Sequence, residues 1–455
     1  MYKFKKEQVL DAEFLTKLVT RFKGGELKRY IKAEKYYGAQ NDIYDRKKGD
    51  LKENNKLAHG FARYISNMAT AYFVGKPVRY VIEDEIYKEA LESVLKANYI
   101  DTLNFNVSLE ASKKGMGFLL LYINEEAKLR IKKMDAECII PVFSPSLGEF
   151  LECAVMLAED RDIDGKLLVE HAYVYDKDFI HHYSRDNTAA DFAFVDRDYH
   201  MLSDVPVICV MNNEEALGDY EPHYALIDAY DRAQSNSADD SDYFSDSYMA
   251  IVGAGGGLES ALTEDSQEAD NSAEAKNLRE NKLLLLDEKG QAYFIEKNTN
   301  DTANENYKNR VFKDLFFLSQ VPALTDENFS GNLTGVAIRY KLTGLEELAI
   351  MKENNFRAAQ HKMIKIITDY LYMMTNRQYD PETVEQKYER NFVDNDTEII
   401  ENVTKLEGIV SKETQLNMLP QKVVDDAQDE LEKIRQEAAA SEGIPYVRPE
   451  LITNE

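Results

Sequence analysis

Cysteine is scarce in this chain, with three residues in 455 and no CxxC pair. Cys138, Cys153 and Cys209 stand far apart, which excludes a disulfide scaffold and fits small buried thiols in a reducing compartment. No apolar run approaches the length of a membrane span. Met1–Lys6 leads directly into a charged amphipathic segment rather than the apolar core of a signal peptide, so the expectation is a protein made in the cytoplasm. Positive charge is also short: 55 Lys plus Arg face 82 Asp plus Glu, for a net charge of −27. That balance argues against broad, non-specific nucleic-acid binding, in which cations must neutralise phosphates.

Catalytic signatures are missing as well. Gly75-Lys76 is not a phosphate loop, because Thr70 stands where its first glycine belongs. Gly253–Gly257 lacks the strand-to-helix context of a dinucleotide fingerprint and reads as a flexible tip. Adjacent His181 and His182 face opposite ways on a strand, so they cannot chelate one ion together. Asp239-Asp240-Ser241-Asp242 lacks the glycine and distal Glu of a calcium loop. No catalytic residue, metal or cofactor is expected.

What is present is a long, core-forming chain. It is 44% hydrophobic with 48 Tyr plus Phe, enough for two or three domains. Charge is unevenly spread. The first 80 residues carry +9, leaving −36 on the rest, and between Met211 and Ala275 there are 16 acidic residues against the single Arg232. An acidic run of this kind reads as a solvated face.

Periodicity gives amphipathic helices over 7–36, broken at Gly24-Gly25, and a helix from about Leu51 that Gly75-Lys76-Pro77 stops. Val78–Ile82 reads as a short strand, and Tyr87–Ala97 and Thr102–Gly115 as helices. A β-rich block follows: Phe118–Ile123, Lys128–Lys133, Cys138–Phe143, Leu151–Leu157, Leu167–Tyr175, Phe179–Tyr183 and Val205–Val210. Turns at Leu147-Gly148 and Asp164-Gly165 make it an antiparallel meander. Pro222 then opens a helix with Tyr224, Ile227, Tyr230 and Ala233 on one face and Asp228, Asp231, Ser235, Asp239 and Asp242 on the other. Leu283–Leu286 and Ala292–Ile295 are short strands, and Thr302–Ser319 is helix again. A helix goes out, a small β module sits at its far end, and a helix comes back.

The stretch Phe316–Tyr340 carries the most information. Phe312, Leu315, Phe316 and Ser319 recur at helical spacing before it, and a helix runs from about Thr334 to Tyr372 after it. Between them, Asp326, Asn328, Ser330, Gly331, Asn332 and Gly335 have loop chemistry. A short strand-like segment, Gln386–Val393, and helices over Asp396–Val410, Ser411–Met418 and Asp425–Ala440 complete the chain.

Four segments, in order, resemble the portal proteins of long-tailed bacteriophages. They are Asn55–Tyr80 with its G-K-P-x-x-Y turn; Lys114–Tyr122 with Gly115 and Gly117; Val321-Pro322 through Asn328-Phe329 to Thr334-Gly335-Val336-Ala337 and Tyr340-Lys341-Leu342; and Ser411-Lys412-Glu413-Thr414, Leu419-Pro420, Asp425-Asp426 and Glu430. Many relatives have Ser-Gly where this chain has Thr334-Gly335, and the acidic insert within Ser247–Asn300 is a departure.

The resemblance implies an α+β, helix-rich portal fold. Its parts would be an N-terminal helical arm over 1–50, an α+β wing over 51–221, a stem helix over 222–246 and a small α/β clip over 247–301. A second stem helix over 302–320, a tunnel loop over 321–335, a long wing helix over 336–377, and a helical crown with a C-terminal tail over 378–455 would follow. It implies a dodecameric ring at the capsid vertex of the virion, the channel for packaging and ejection of double-stranded DNA. Its partners would be the terminase large subunit and head–tail connector proteins at the clip, and major capsid and scaffold proteins outside.

The tunnel loop then comprises Asp326, Glu327, Asn328, Phe329, Ser330, Gly331, Asn332, Leu333 and Thr334, with Phe329 and Leu333 packing neighbouring loops. Arg339 and Lys341 are candidate phosphate contacts or, equally, members of intersubunit salt bridges. The alternative expectation is an acidic virion adaptor that binds proteins and never encloses DNA.

Overall fold

The computed structural model describes residues 2–49, 53–148, 150–245, 249–252, 283–286, 291–294, 301–324, 339–391, 396–419, 423–424 and 427–442. Tyr2–Lys3 form a short strand, β1, ahead of helices α1 (Lys6–Val9), α2 (Ala12–Gly24) and α3 (Glu26–Tyr37). Asp11 caps α2 by accepting the Phe14 N–H at 2.9 Å, and Gly25 separates α2 from α3. Helix α4 (Phe61–Val74) ends at Gly75, and Pro77 prevents its continuation into β2 (Arg79–Val81). The helix expected from Leu51 therefore begins ten residues later; 53–60 are irregular. Helices α5 (Glu85–Ala97) and α6 (Ile100–Lys114) precede β3 (Met116–Ile123), β4 (Leu129–Met134), β5 (Ile139–Phe143), β6 (Leu151–Arg161), β7 (Leu167–Tyr175), β8 (Phe179–Asp186), β9 (Ala193–Tyr199) and β10 (Val207–Met211).

These strands make two sheets. One has the order β1-β5-β6-β7-β8-β9, antiparallel except for the β1–β5 pair. The other, β10-β3-β4, is antiparallel throughout. Strand β9 escapes sequence reading because all its residues are exposed, leaving no alternation of apolar and polar positions. Charged Asp196, Arg197 and Asp198 suit such an edge, since they discourage further pairing.

Strand β3 divides two hydrophobic cores. Successive side chains of a strand point to opposite faces. Phe118 and Leu120 join Leu15, Val19 and Phe22 of α2 and the six-stranded sheet. Leu119 and Leu121 join Phe73 of α4, Leu91 and Leu95 of α5, and a later long helix through Phe356, Met363 and Ile367. One eight-residue strand thus welds two layers.

After β10 come α7 (Tyr224–Ser245) and a three-stranded sheet of β11 (Met249–Val252), β12 (Leu283–Leu286) and β13 (Gln291–Phe294) in the order β12-β11-β13. Helix α8 (Asp301–Leu318) follows. The long helix, α9 (Thr343–Thr375), has 33 residues and spans about 50 Å. Arg339–Lys341 just before it are helical and Leu342 interrupts, while the start expected near Thr334 lies outside the described residues. Strand β14 (Glu385–Lys387) pairs antiparallel with β2.

The chain divides into two compact units, 1–322 with 344–390, and 323–343 with 391–455. In the second, helices α10 (Asp396–Lys405), α11 (Lys412–Met418) and α12 (Ala427–Glu442) gather around buried Val403, Leu416 and Ala427. Ser411 caps α11 as expected, its hydroxyl accepting the Thr414 N–H at 3.2 Å. Gly253–Gly257, Asp425-Asp426 and the C-terminal tail lie outside the described residues.

Candidate functional site

The segment 323–343 leaves and rejoins the first unit at one spot, and the chain on either side of it is firmly held. On the departing side, α8 is anchored by aromatic edges. Phe316 lies 5.9 Å from Phe61, 5.5 Å from Tyr64 and 4.6 Å from Phe312 between ring centres, and Tyr230 of α7 stands 5.0 Å from Phe61. Val311, Leu315 and Ser319 complete the buried stripe of α8. Val321 is fully buried, and the Pro322 carbonyl accepts the Tyr64 hydroxyl at 2.9 Å.

On the returning side, Gly344 sits against Gln320: a Cβ there would lie 3.3 Å from the Gln320 carbonyl oxygen. Two residues on, Glu346 accepts the Tyr72 hydroxyl at 2.7 Å and pairs with Arg390 at 3.0 Å, which also reaches Glu353 at 2.9 Å. Tyr64 and Tyr72, eight residues apart on α4, therefore brace both ends.

The expected loop residues Asp326, Glu327, Asn328, Phe329, Ser330, Gly331, Asn332, Leu333 and Thr334 lie outside the described residues. Arg339 and Lys341 are exposed on the helical turn before α9, with Tyr340 exposed between them.

The acidic face of α7 is not a solvated one, contrary to expectation. Residues 41–49, which begin with a short 3-10 turn over Asp42–Asp45, and irregular residues 53–59 lie along it, and their donors point at its side chains. Asp231 accepts Asn41 Nδ2 at 2.6 Å and the His59 N–H at 3.0 Å, and His59 Nδ1 lies 2.7 Å away. Ser235 accepts the Leu57 N–H at 3.0 Å. Asp239 accepts the Asn55 N–H at 2.6 Å and Arg46 at 3.0 Å, and also bonds Lys48. Asp242 takes Asn55 Nδ2 at 2.6 Å.

The physical reason is simple. A segment without regular structure has backbone N–H groups with no ladder, and a row of carboxylates one helical face long supplies acceptors. Asp231 and Ser235 are fully buried as a result. Burial pushes the Asp239 carboxyl up, but the Lys48 and Asn55 hydrogen bonds and the Lys48 and Arg46 charges outweigh it, holding it below the usual carboxylate range. The sequence signal was the basic surplus before residue 80 facing the acidic run after 211.

Helix α9 carries a different buried charge. Lys352 donates to both Asp219 oxygens at 2.8 and 2.7 Å and to Asn212. Asp219 accepts Asn212 Nδ2 at 2.8 Å and the Ser112 hydroxyl. Burial pulls the Lys352 ammonium below the ordinary lysine range, and Asp219 restores it only in part. Two turns on, fully buried Gln360 donates to Asn104 at 2.8 Å and accepts the Tyr80 hydroxyl at 2.8 Å. These bonds fix α9 against α6 and β2.

With this geometry in view, the comparisons with known proteins are decisive. The sequence model of the family described as "Phage portal protein, SPP1 Gp6-like" matches residues 23–443. The chain belongs to that family. It is 23% identical over 434 residues to the portal protein of Bacillus phage SPP1, covering 90% of this chain and 83% of the relative. It is 25% identical over 439 residues to the portal protein of Clostridium phage phiCD119, covering 89% and 91%. A chain in the virion of a native gene transfer agent particle aligns with a TM-score of 0.44 at 12% identity, over 86% of this chain and 93% of that one.

A portal protein is a structural part of the phage head, the ring at the capsid vertex, and the reading as an adaptor outside any ring is set aside. The motif glycines that pointed to the portal family have a steric basis here. Gly115 has φ +86°, and a Cβ would sit 1.9 Å from the Ala216 carbonyl oxygen. Beside it, a Cβ at Gly117 would meet the Val107 carbonyl oxygen at 2.4 Å. Only glycine lets α6 turn directly into β3 beneath the loop that carries Asp219.

Proposed function

We propose that twelve copies of this chain surround a channel for double-stranded DNA, with the tunnel loop of each copy, residues 321–335, turned toward the channel. The observation that carries this reading is the common root of the loop. Gln320 and Gly344 touch, and Tyr64 and Tyr72 brace the chain on either side. A segment of about twenty residues that departs and returns at one braced point is suited to being displayed from a scaffold rather than folded into it.

The electrostatics fit passage rather than capture. A net charge of −27 gives DNA little to adhere to, and a closed ring of strong cations would stall a moving duplex. In this reading Asp326, Glu327, Asn328, Ser330 and Asn332 face the duplex without neutralising it, Phe329 and Leu333 pack loop to loop, and exposed Arg339 and Lys341 make brief phosphate contacts. Helices α7 and α8 are the stem. The strands β11, β12 and β13 belong to the clip, where the terminase large subunit docks during packaging and head–tail connector proteins follow. The reading asks for no bond-making chemistry.

Removing Asn328–Asn332 tests the loop. The shortened chain should still form rings, because the root lies outside the deletion, and should fail to package or retain DNA. Normal packaging by that chain would refute a channel role for the loop.

A further inference from the structure

Thr70 of α4 and Ser108 of α6 are shielded from solvent, at 1% and 7% exposure, and neither hydroxyl has a hydrogen-bond partner in the protein. A buried polar atom without a partner is costly, so two on packed helices need a physical account. Both side chains line one small cavity, of about 10 Å³, where α4, α6, the end of β10 and α9 come together. Phe73 and Phe356 form its apolar side, with ring centres 5.5 Å apart.

The other polar groups on the wall are already engaged. Lys352 directs its three ammonium protons at Asp219 Oδ1, Asp219 Oδ2 and Asn212 Oδ1. Asn212 gives its two amide protons to the Leu217 carbonyl and to Asp219. The buried cation therefore has its carboxylate, and the cavity offers an ion no unmatched charge. What is left is two hydroxyls, each able to donate and to accept.

Size and polarity select the ligand. The cavity is at the lower bound, about 10–15 Å³, of what one water needs, and is too small for anything larger. Cavities that stay dry are lined by apolar groups alone, and this one is not. A water accepts from one hydroxyl while donating to the other, and two polar partners are enough to hold a buried water.

We propose that one ordered water occupies this cavity and bridges the Thr70 and Ser108 hydroxyls, tying α4 to α6 next to the Lys352–Asp219 pair. The consequence reaches the root of the loop. Thr70 lies on α4 between Tyr64 and Tyr72, the two residues that brace that root. The water is then part of what keeps their helix seated.

The test is a crystallographic or electron cryomicroscopy map of the full-length protein at a resolution that shows ordered water. The expected result is a rounded peak about 2.8 Å from both hydroxyl oxygens. A double-mutant cycle gives an independent reading, because Thr70→Val and Ser108→Ala each remove one partner with little change of shape. If one water serves both hydroxyls, the first substitution already releases it, and the second adds little. The double variant should then change the unfolding equilibrium constant at least about fivefold less than the product of the single changes. A map without that peak would overturn the proposal, and would show each hydroxyl turned onto a carbonyl one turn back in its own helix. Single-variant effects that multiply independently in a folded double variant would overturn it too. The map is made on the unaltered chain, so it decides even where a variant does not fold.

Discussion

Helices α7 and α9 each remove charged side chains from water, and to opposite ends. On α7 the buried groups are acceptors, Asp231 and Asp239, and what they hold is chain outside any α-helix or sheet, at Asn41, Asn55 and His59. On α9 the buried group is a donor, Lys352, and what it holds is the Asp219 carboxylate beside a packed core. The first arrangement fastens a strap to the outside of a helix. The second locks a helix into place. A buried charge therefore has no single meaning; its partner decides whether losing it frees a segment or loosens a domain.

Substitutions should separate the two cases. The largest effect is expected at Lys352→Met, which leaves Asp219 buried without its cation and should lower unfolding stability by about 3–5 kcal/mol. A loss below about 1 kcal/mol in chemical denaturation would mean that the hold on α9 does not depend on the Lys352–Asp219 pair.

Asp231→Ala comes next. It leaves Asn41 Nδ2, the His59 N–H and the His59 ring facing a vacancy, at an expected cost of about 2 kcal/mol. Its signature should be local, with hydrogen exchange accelerating over 41–59 while the amides of α9 keep their protection. Equal acceleration in both places would erase the distinction between strap and lock.

Changes of pH should act on the two helices with the same sign but in different ranges, stability rising with pH in each. The Asp239 carboxyl is held below its ordinary range, so its contribution is present above that range and is lost as pH falls through the lowered folded value. Strap cleavage by an acid-active protease should therefore rise as pH falls through that lowered value. Lys352 is also held below its ordinary range, so the unfolded chain binds the extra proton there, and stability rises as pH climbs through that lowered value. The smallest effect belongs to Arg46→Gln, about 1 kcal/mol, because Asp239 keeps Lys48 and the Asn55 N–H as partners.

Local order was legible in the sequence. The extents of α5, α7 and α8, to within about two residues, and of strand β7 follow from apolar spacing and from turn residues such as Gly165, whose φ is +78°, while β6 runs four residues past its expected end at Leu157 to Arg161. What escaped is what local periodicity does not encode. Strand β9 has no buried side to alternate, and the strap bonds through backbone N–H groups that leave no mark in residue type. The Lys352–Asp219 pair joins positions 133 residues apart. At the candidate site, Gly344 and Pro322 could be read as loop punctuation, but not the bracing by Tyr64 and Tyr72, which depends on α4 lying beneath both ends.

The account stands or falls on assembly around a hole. Negative-stain electron microscopy of the purified full-length protein should show closed rings of about twelve copies with an open centre. A field of single protomers or dimers, none enclosing a pore, would contradict it.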